Sequence, residues 1–366
     1  MKVLFVSLEL YNPAHLGGIQ RFNQRVVRAL TELGCEVRTI ALWDRAEDTR
    51  AALTLHFPGR RRKIWTTLKY IEQVTSFDPD IVLFGHVLLA PLAALGRWLR
   101  SKGKQALFVH GYEVWSLPFR DVSMLERLIV RRSFDRIIPV SRTTRDRMDQ
   151  VYRLGLDRYR ILPNAIDIPE TSQMNAPLDR QSDHIMLTVA RLDDHSRKKG
   201  IDQVIRALSN ICHRFPLAHY VIVGDGPLKR ELEELAIACG VREHVTFTGR
   251  IPDWDLIDLY RRADAFVMPS KQEGFGIVYL EAWIHGVPII VGKDDAGAEL
   301  VTHRENGLVV DPESIDDIAQ AINWLFDNPE DARRLGLAGR DTVRQQYLHE
   351  HFRNRLAEIL EELCVG

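Results

Sequence analysis

The sequence predicts an α/β chain built as two doubly wound, parallel-sheet domains. Two observations carry this reading. Short Val- and Ile-rich apolar runs alternate with longer stretches of helical periodicity, and the whole pattern restarts once, after a polar stretch near residues 169–183. The length of 366 residues agrees, because a domain holds on the order of 150 residues and each half is long enough to bury its own core. Buried parallel strands read as continuous apolar runs, and their right-handed crossovers need helices between them.

The predicted strands of the first half are Val3–Ser7, Val37–Leu42, Ile81–Gly85, Ala106–His110 and Ile137–Val140. Between the first two, Phe22, Val26, Val27, Leu30 and Leu33 recur at helical spacing, and Gly34 supplies a helix stop. The second half offers Ile185–Ala190, Tyr220–Gly224, Val245–Gly249, Ala265–Pro269, Pro288–Val291 and Gly307–Val310. The predicted organisation is a first domain over 1–170, a linker over 171–183, a second domain over 184–345 and a C-terminal helix over 346–366 that packs back on the first domain. Tyr347, Phe352, Leu356, Ile359, Leu360 and Leu363 form the apolar stripe that this helix must bury.

Composition removes several classes. With 45% hydrophobic and 27% charged residues the chain is neither disordered nor fibrous. A net charge of -1 disfavours a uniformly basic nucleic-acid binder. The halves differ: residues 1–170 hold 27 Lys/Arg against 18 Asp/Glu, and residues 171–366 hold 22 against 32, which suggests different partners. Four scattered cysteines (Cys35, Cys212, Cys239, Cys364) make neither a disulfide framework nor a zinc site and fit a reducing compartment. The first apolar run reads as a strand and not a signal peptide, and no uninterrupted apolar stretch is long enough to span a bilayer. The expected location is cytoplasmic, with peripheral attachment to the inner face of the cell membrane left open.

Ligands of doubly wound sheets bind at the C-terminal ends of the strands, here expected to line a cleft between the domains. Gly17-Gly18 follows the first strand and opens a helix, where backbone N–H groups can approach a phosphate; the pattern is neither GxGxxG nor a P-loop. After Ile185–Ala190 come Arg191, Arg197, Lys198 and Lys199, four cations ahead of a helix. Such a run is usually a solvated surface, but its place suits a diphosphate. Gly224-Asp225-Gly226-Pro227 reads as a structural turn. After Ala265–Pro269, Glu273-Gly274-Phe275-Gly276 leads into a helix carrying Glu281 inside an apolar run. Two carboxylates beside an anion cradle make sense if they accept hydrogen bonds from hydroxyls on either side of a diphosphate, as a sugar nucleotide would offer. His110-Gly111 ends a first-domain strand and points to the same cleft.

These elements, together with Pro163-Asn164-Ala165-Ile166-Asp167, Phe247-Thr248-Gly249-Arg250 and Asn306-Gly307-Leu308, resemble the retaining GT-B glycosyltransferases of family 4 over essentially the whole chain. The resemblance implies the GT-B fold and transfer of a hexosyl group from GDP-mannose or a UDP-hexose to a glycan or lipid-linked acceptor. It implies that Arg191 and Lys199 bind the donor diphosphate, aided by main-chain amides at Gly18, Ile277 and Val278, with Gly17, Phe275 and Gly276 also among the donor-binding residues. It places Glu273 at donor-sugar hydroxyls, Glu281 at the ribose, Arg250 and Ile251 at the base, and His110 beside the reacting sugar. Fixed cations and a helix dipole would then replace a metal, so no metal and no cofactor beyond the donor is expected. Adjacent cations leave open whether Lys198 or Lys199 meets the diphosphate. A sugar-nucleotide epimerase of the same architecture is the alternative enzyme, and a non-catalytic sugar binder a third reading. Basic stretches at Arg60–Trp65, Trp115–Phe134 and Arg142–Arg147, the first two of them bearing aromatics, make an anionic membrane surface a candidate partner, weighed against ordinary solvated helix faces.

Overall fold

The computed structural model describes residues 1–11, 17–44, 61–99, 103–115, 122–168 and 184–365. The linker expected over 171–183 and the basic residues Arg60 and Arg120 lie outside them. The chain divides into two compact units, Met1–Ala165 with His349–Gly366, and Ile166–Leu348.

In the first unit the elements run β1 (Lys2–Ser7), α1 (Gly18–Glu32), β2 (Glu36–Ala41), α2 (Arg61–Glu72), β3 (Ile81–Phe84), α3 (Ala90–Leu99), β4 (Lys104–Val109), α4 (Tyr112–Trp115), α5 (Met124–Ser133), β5 (Arg136–Pro139) and α6 (Arg142–Tyr152). The strands pair in parallel in the order β2-β1-β3-β4-β5. The second unit holds β6 (Ile185–Val189), α7 (Ile201–Arg214), β7 (His219–Val223), α8 (Leu228–Ala238), β8 (Val245–Gly249), α9 (Asp253–Arg262), β9 (Ala265–Met268), α10 (Ile277–Ile284), β10 (Ile289–Gly292), β11 (Leu308–Val310), α11 (Ile315–Asp327) and α12 (Pro329–Gln346). Its parallel order is β11-β10-β9-β6-β7-β8. Both are doubly wound sheets, and the order reverses between β1 and β3 in one and between β6 and β9 in the other. Ligands of this architecture settle at those switch points, beyond the strand C-termini.

The apolar runs become strands because they are covered on both faces: Val3, Leu4, Phe5 and Val6 of β1, and all of β9, are buried. Helices lay down one apolar stripe each. On α1 it is Phe22, Val26, Ala29 and Leu30; serine hydroxyls at Ser123, Ser141 and Ser314 accept from the opening N–H groups of α5, α6 and α11.

The chain ends in α13 (His349–Val365), which belongs to the first unit and packs on α1 through an edge-to-face contact of Phe352 with Phe22 at 5.4 Å. It is a separate helix from α12. The break falls at Tyr347–Leu348, where the Tyr347 carbonyl accepts from the Ile166 N–H at 2.9 Å and Leu348 bridges to Ile166. Among the described residues no helix is long and apolar enough to cross a membrane.

Candidate active site

The switch point of the second unit gathers two loops. One follows β6 and carries Arg191 to Lys199; the other follows β9 and carries Ser270 to Gly276. Backbone bonds fasten them together: the Lys198 carbonyl accepts from the Lys271 N–H at 2.8 Å and from the Ser270 hydroxyl at 3.1 Å. The Arg191 loop also rests on the turn after β7. A Cβ on Gly224, whose φ is +140°, would lie 1.8 Å from the Ala190 carbonyl oxygen, and one on Gly226 2.4 Å from that of Leu192. Those glycines are thus required by close backbone approach, which is the structural reading of that turn.

The fastened loops bring Lys199 and Glu273 together. Lys199 Nζ donates to Glu273 Oε2, and both side chains are largely shielded, 21% and 15% exposed. The lysine in register with the second loop is therefore Lys199. Lys198 is exposed, and Arg197 turns away to a two-pronged ion pair with Glu231 of α8 at 2.6 and 2.8 Å. Arg191 stands 71% exposed with Nε 3.6 Å from Asp193, and among the described residues no contact joins it to the Lys199–Glu273 pair.

Glu273 leads into α10. Gly276 precedes that helix with φ +86°, a left-handed conformation that side chains resist, and as a glycine it brings no side-chain cap to the first turn. The main-chain N–H groups at Gly276, Ile277 and Val278 thus open the helix at its positive end, a fixed half-charge for an anion. The Phe275 ring is buried edge-on against Tyr347 at 5.9 Å, so Phe275 offers a ligand its main chain only. The direction of α10 is fixed from behind. Trp283 is fully buried against Gly339 of α12, and its indole N–H donates to the Asn306 carbonyl at 3.0 Å.

Glu281, just over one turn into α10, is half-buried and accepts from the Tyr260 hydroxyl of α9 at 3.0 Å. That tertiary partner resolves the discomfort of a carboxylate inside an apolar run. Arg250 is exposed and Ile251 half-buried beyond the end of β8, which β7 separates from β6.

In the first unit, Gly17 is extended and Gly18 opens α1 at the C-terminal side of β1. His110 follows β4. It is buried, edge-on to Phe22 at 4.8 Å, with its Nε2 3.2 Å from the Gly85 carbonyl beyond β3. A carbonyl only accepts, so Nε2 carries the proton and Nδ1 is left as an acceptor. Burial holds the imidazole pKa below the ordinary histidine value, and the neutral ring is the form favoured.

One residue of the site went unmarked by sequence. Asp295, in the loop after β10, is 3% exposed; its Oδ2 accepts from the Glu273 N–H at 3.1 Å and its Oδ1 from the Gly297 N–H at 2.8 Å. In the sequence it is half of an Asp294-Asp295 doublet that belongs to no motif. Burial first, then the Glu273 carboxylate, push its pKa from 3.8 up to about 7. The sign follows from linkage. Between those values the folded protein holds a proton that the unfolded chain has released, so this group's contribution to stability falls as pH rises through 7. The full shift corresponds to at most about 4 kcal/mol. Asp295→Asn is expected to flatten the decline in unfolding free energy between pH 5 and 8, measured by urea titration; an unchanged decline contradicts the assignment.

Two doubly wound parallel-sheet units in one chain make the GT-B fold, and comparison with known proteins agrees. The family profile described as Glycosyl transferases group 1 matches residues 170–342, and that described as Glycosyltransferase Family 4 matches residues 16–170. The chain belongs to this family and is a glycosyltransferase. It is 34% identical over 306 residues to the GDP-mannose-dependent alpha-(1-6)-phosphatidylinositol monomannoside mannosyltransferase of Mycobacterium tuberculosis, covering 78% of this chain and 77% of that protein. The protein of the same name from Mycolicibacterium smegmatis is 33% identical, covering 95% and 96%. Among solved structures, Anabaena HepE in complex with UDP superposes with a TM-score of 0.81 at 17% identity, covering 99% of this chain and 100% of that one. None of these supports the epimerase alternative.

Proposed function

We propose that this glycosyltransferase is a retaining α-mannosyltransferase. It takes GDP-mannose as donor, works without a divalent ion, and delivers mannose to a glycan or lipid-linked acceptor. The observation that carries the reading is the shielded Lys199–Glu273 pair at the opening of α10, on the switch point of a doubly wound sheet. The two GDP-mannose-dependent relatives support the choice of donor.

In this reading Lys199 exchanges the Glu273 carboxylate for the donor pyrophosphate, with Arg191 swinging in from solvent as the second cation. The exchange frees Glu273 to accept hydrogen bonds from donor-sugar hydroxyls, while Glu281 accepts from the ribose and the main chain around Arg250 and Ile251 meets the base. As the C–O bond to phosphate breaks, negative charge grows on the leaving oxygen. Once both cations are in place, they and the α10 amides at Ile277 and Val278 stabilise that charge. The acceptor hydroxyl attacks from the face the phosphate leaves and passes its proton to the departing phosphate oxygen, so the configuration at the anomeric carbon is kept. For the first unit, the resemblance to the family implies a role for neutral His110 at the donor sugar and for the Gly17-Gly18 amides at the diphosphate.

A panel of sugar nucleotides, followed by nucleoside-diphosphate release and product analysis, tests the proposal. GDP-mannose is expected to be turned over fastest, with Glu273→Ala about 10²-fold slower or worse. Preference for a UDP-hexose overturns the donor, release of an epimerised sugar overturns the reaction class, and full activity of Glu273→Ala overturns the site.

The acceptor side carries a second part of the proposal, attachment to an anionic membrane. Helix α2 exposes Ile64, Trp65 and Leu68 together with Lys63, the mixture that suits a headgroup interface. Binding to phosphatidylglycerol vesicles that weakens with salt, and weakens again in Trp65→Glu, is the expected result of flotation. Binding equal to that on neutral vesicles ends the membrane reading.

A further inference from the structure

We infer that Asp295 is the positioning residue for Glu273, fixing the main chain from which that carboxylate projects. The inference rests on the proposed role of Glu273 at the donor sugar. Both main-chain polar groups of Glu273 are tied to the loop after β10: its N–H donates to Asp295 Oδ2 at 3.1 Å, and its carbonyl accepts from the Ala296 N–H at 3.3 Å. The loop is itself locked. The second Asp295 oxygen holds the Gly297 N–H at 2.8 Å, and a Cβ on Gly297 would lie 2.8 Å from the Tyr279 ring. The Tyr279 hydroxyl in turn donates to the Met268 carbonyl at the end of β9. Two sheet-end loops are thus pinned to each other through one side chain.

The residue type follows from the number of bonds. Two N–H groups on different loops need two acceptor oxygens at one point; a carboxylate supplies both, whereas an asparagine has one oxygen to offer. The cost is high, because Asp295 is buried beside a second carboxylate. Glu273, Lys199, Ser270 and Tyr279 are the polar groups that face it, and Lys199 offsets the charge only in part. Buried groups held against such opposition cluster at functional sites.

Calorimetric binding of GDP-mannose and of GDP to the full chain tests this, with UDP-glucose and UDP run alongside so that a wrong donor base does not hide the effect. Asp295→Ala is expected to weaken the sugar nucleotide about tenfold or more, leaving the bare diphosphate within about twofold. Asp295→Asn, which keeps one acceptor, is expected to fall between and carries the same comparison if the alanine variant does not fold. In a Glu273→Ala background, Asp295→Ala is expected to add nothing, because it acts through Glu273. Equal weakening of sugar nucleotide and diphosphate, or losses that add to those of Glu273→Ala, overturns the inference. If Glu273→Ala itself keeps the full preference for sugar nucleotide over diphosphate, the role of Glu273 is wrong and the inference falls with it. That outcome is distinct from one in which Glu273→Ala loses the preference and Asp295→Ala keeps it.

Discussion

Lys199→Ala is expected to slow mannosyl transfer from GDP-mannose by a factor of about 10²–10³ while the protein still folds. Lys199 is the one cation that the two switch-point loops bring against the candidate sugar-binding carboxylate among the described residues. In the transition state it would face the charge growing on the leaving phosphate, where a fixed donor is worth most. In the ligand-free protein it balances Glu273, which lies beside a second buried carboxylate at Asp295. Its loss removes both services at once. Lys199→Arg is expected to recover only part of the rate, since a planar fork does not reproduce a compact ammonium at the same point. Steady-state rates of GDP release decide the matter, with thermal melting as the control for folding. Activity within about threefold of the parent, where a surface ion pair would leave it, contradicts the assignment.

Gly276→Ala is expected to give the second large effect, by geometry and not by charge. At φ +86° an alanine pays on the order of 1–2 kcal/mol for the left-handed conformation alone. Its Cβ would also lie 2.3 Å from the Tyr279 ring and 3.2 Å from Glu273 Cγ. The ring cannot swing aside without breaking the hydroxyl bond to the Met268 carbonyl at 2.8 Å, so the strain passes to the start of α10 and to Glu273. A lowered melting temperature and a loss of turnover of at least about tenfold are expected together, because a misplacement of about 1 Å at a reacting centre can cost on the order of 10²-fold in rate. An alanine variant with parental kinetics contradicts the view that this glycine shapes the site.

The sheets were legible in the sequence because both of their faces are covered. A run such as Ala265–Met268 has nothing to hide from water on only one side, so it reads as apolar throughout. The loops were legible because strand ends can be located once strands are found, and cations or glycines at such ends are conspicuous. Contacts set by tertiary structure were not. Arg197 and Lys199 look alike in a basic run; only the docking of α8 gives Arg197 a carboxylate partner and leaves Lys199 facing Glu273. The Tyr260 hydroxyl on Glu281 comes from a helix on another crossover. Asp295 had no pattern at all: its significance lies in two N–H groups that meet it only when the loops after β9 and β10 are closed on each other.

The central claim is that Lys199, Arg191 and a helix N-terminus in the second unit take up the charge of the departing pyrophosphate. The most direct measurement is the rate of GDP release from GDP-mannose by enzyme stripped of divalent ions and assayed in excess EDTA. The rate is expected to equal that with added magnesium or manganese. Turnover that disappears in chelator and returns with either ion would contradict the account.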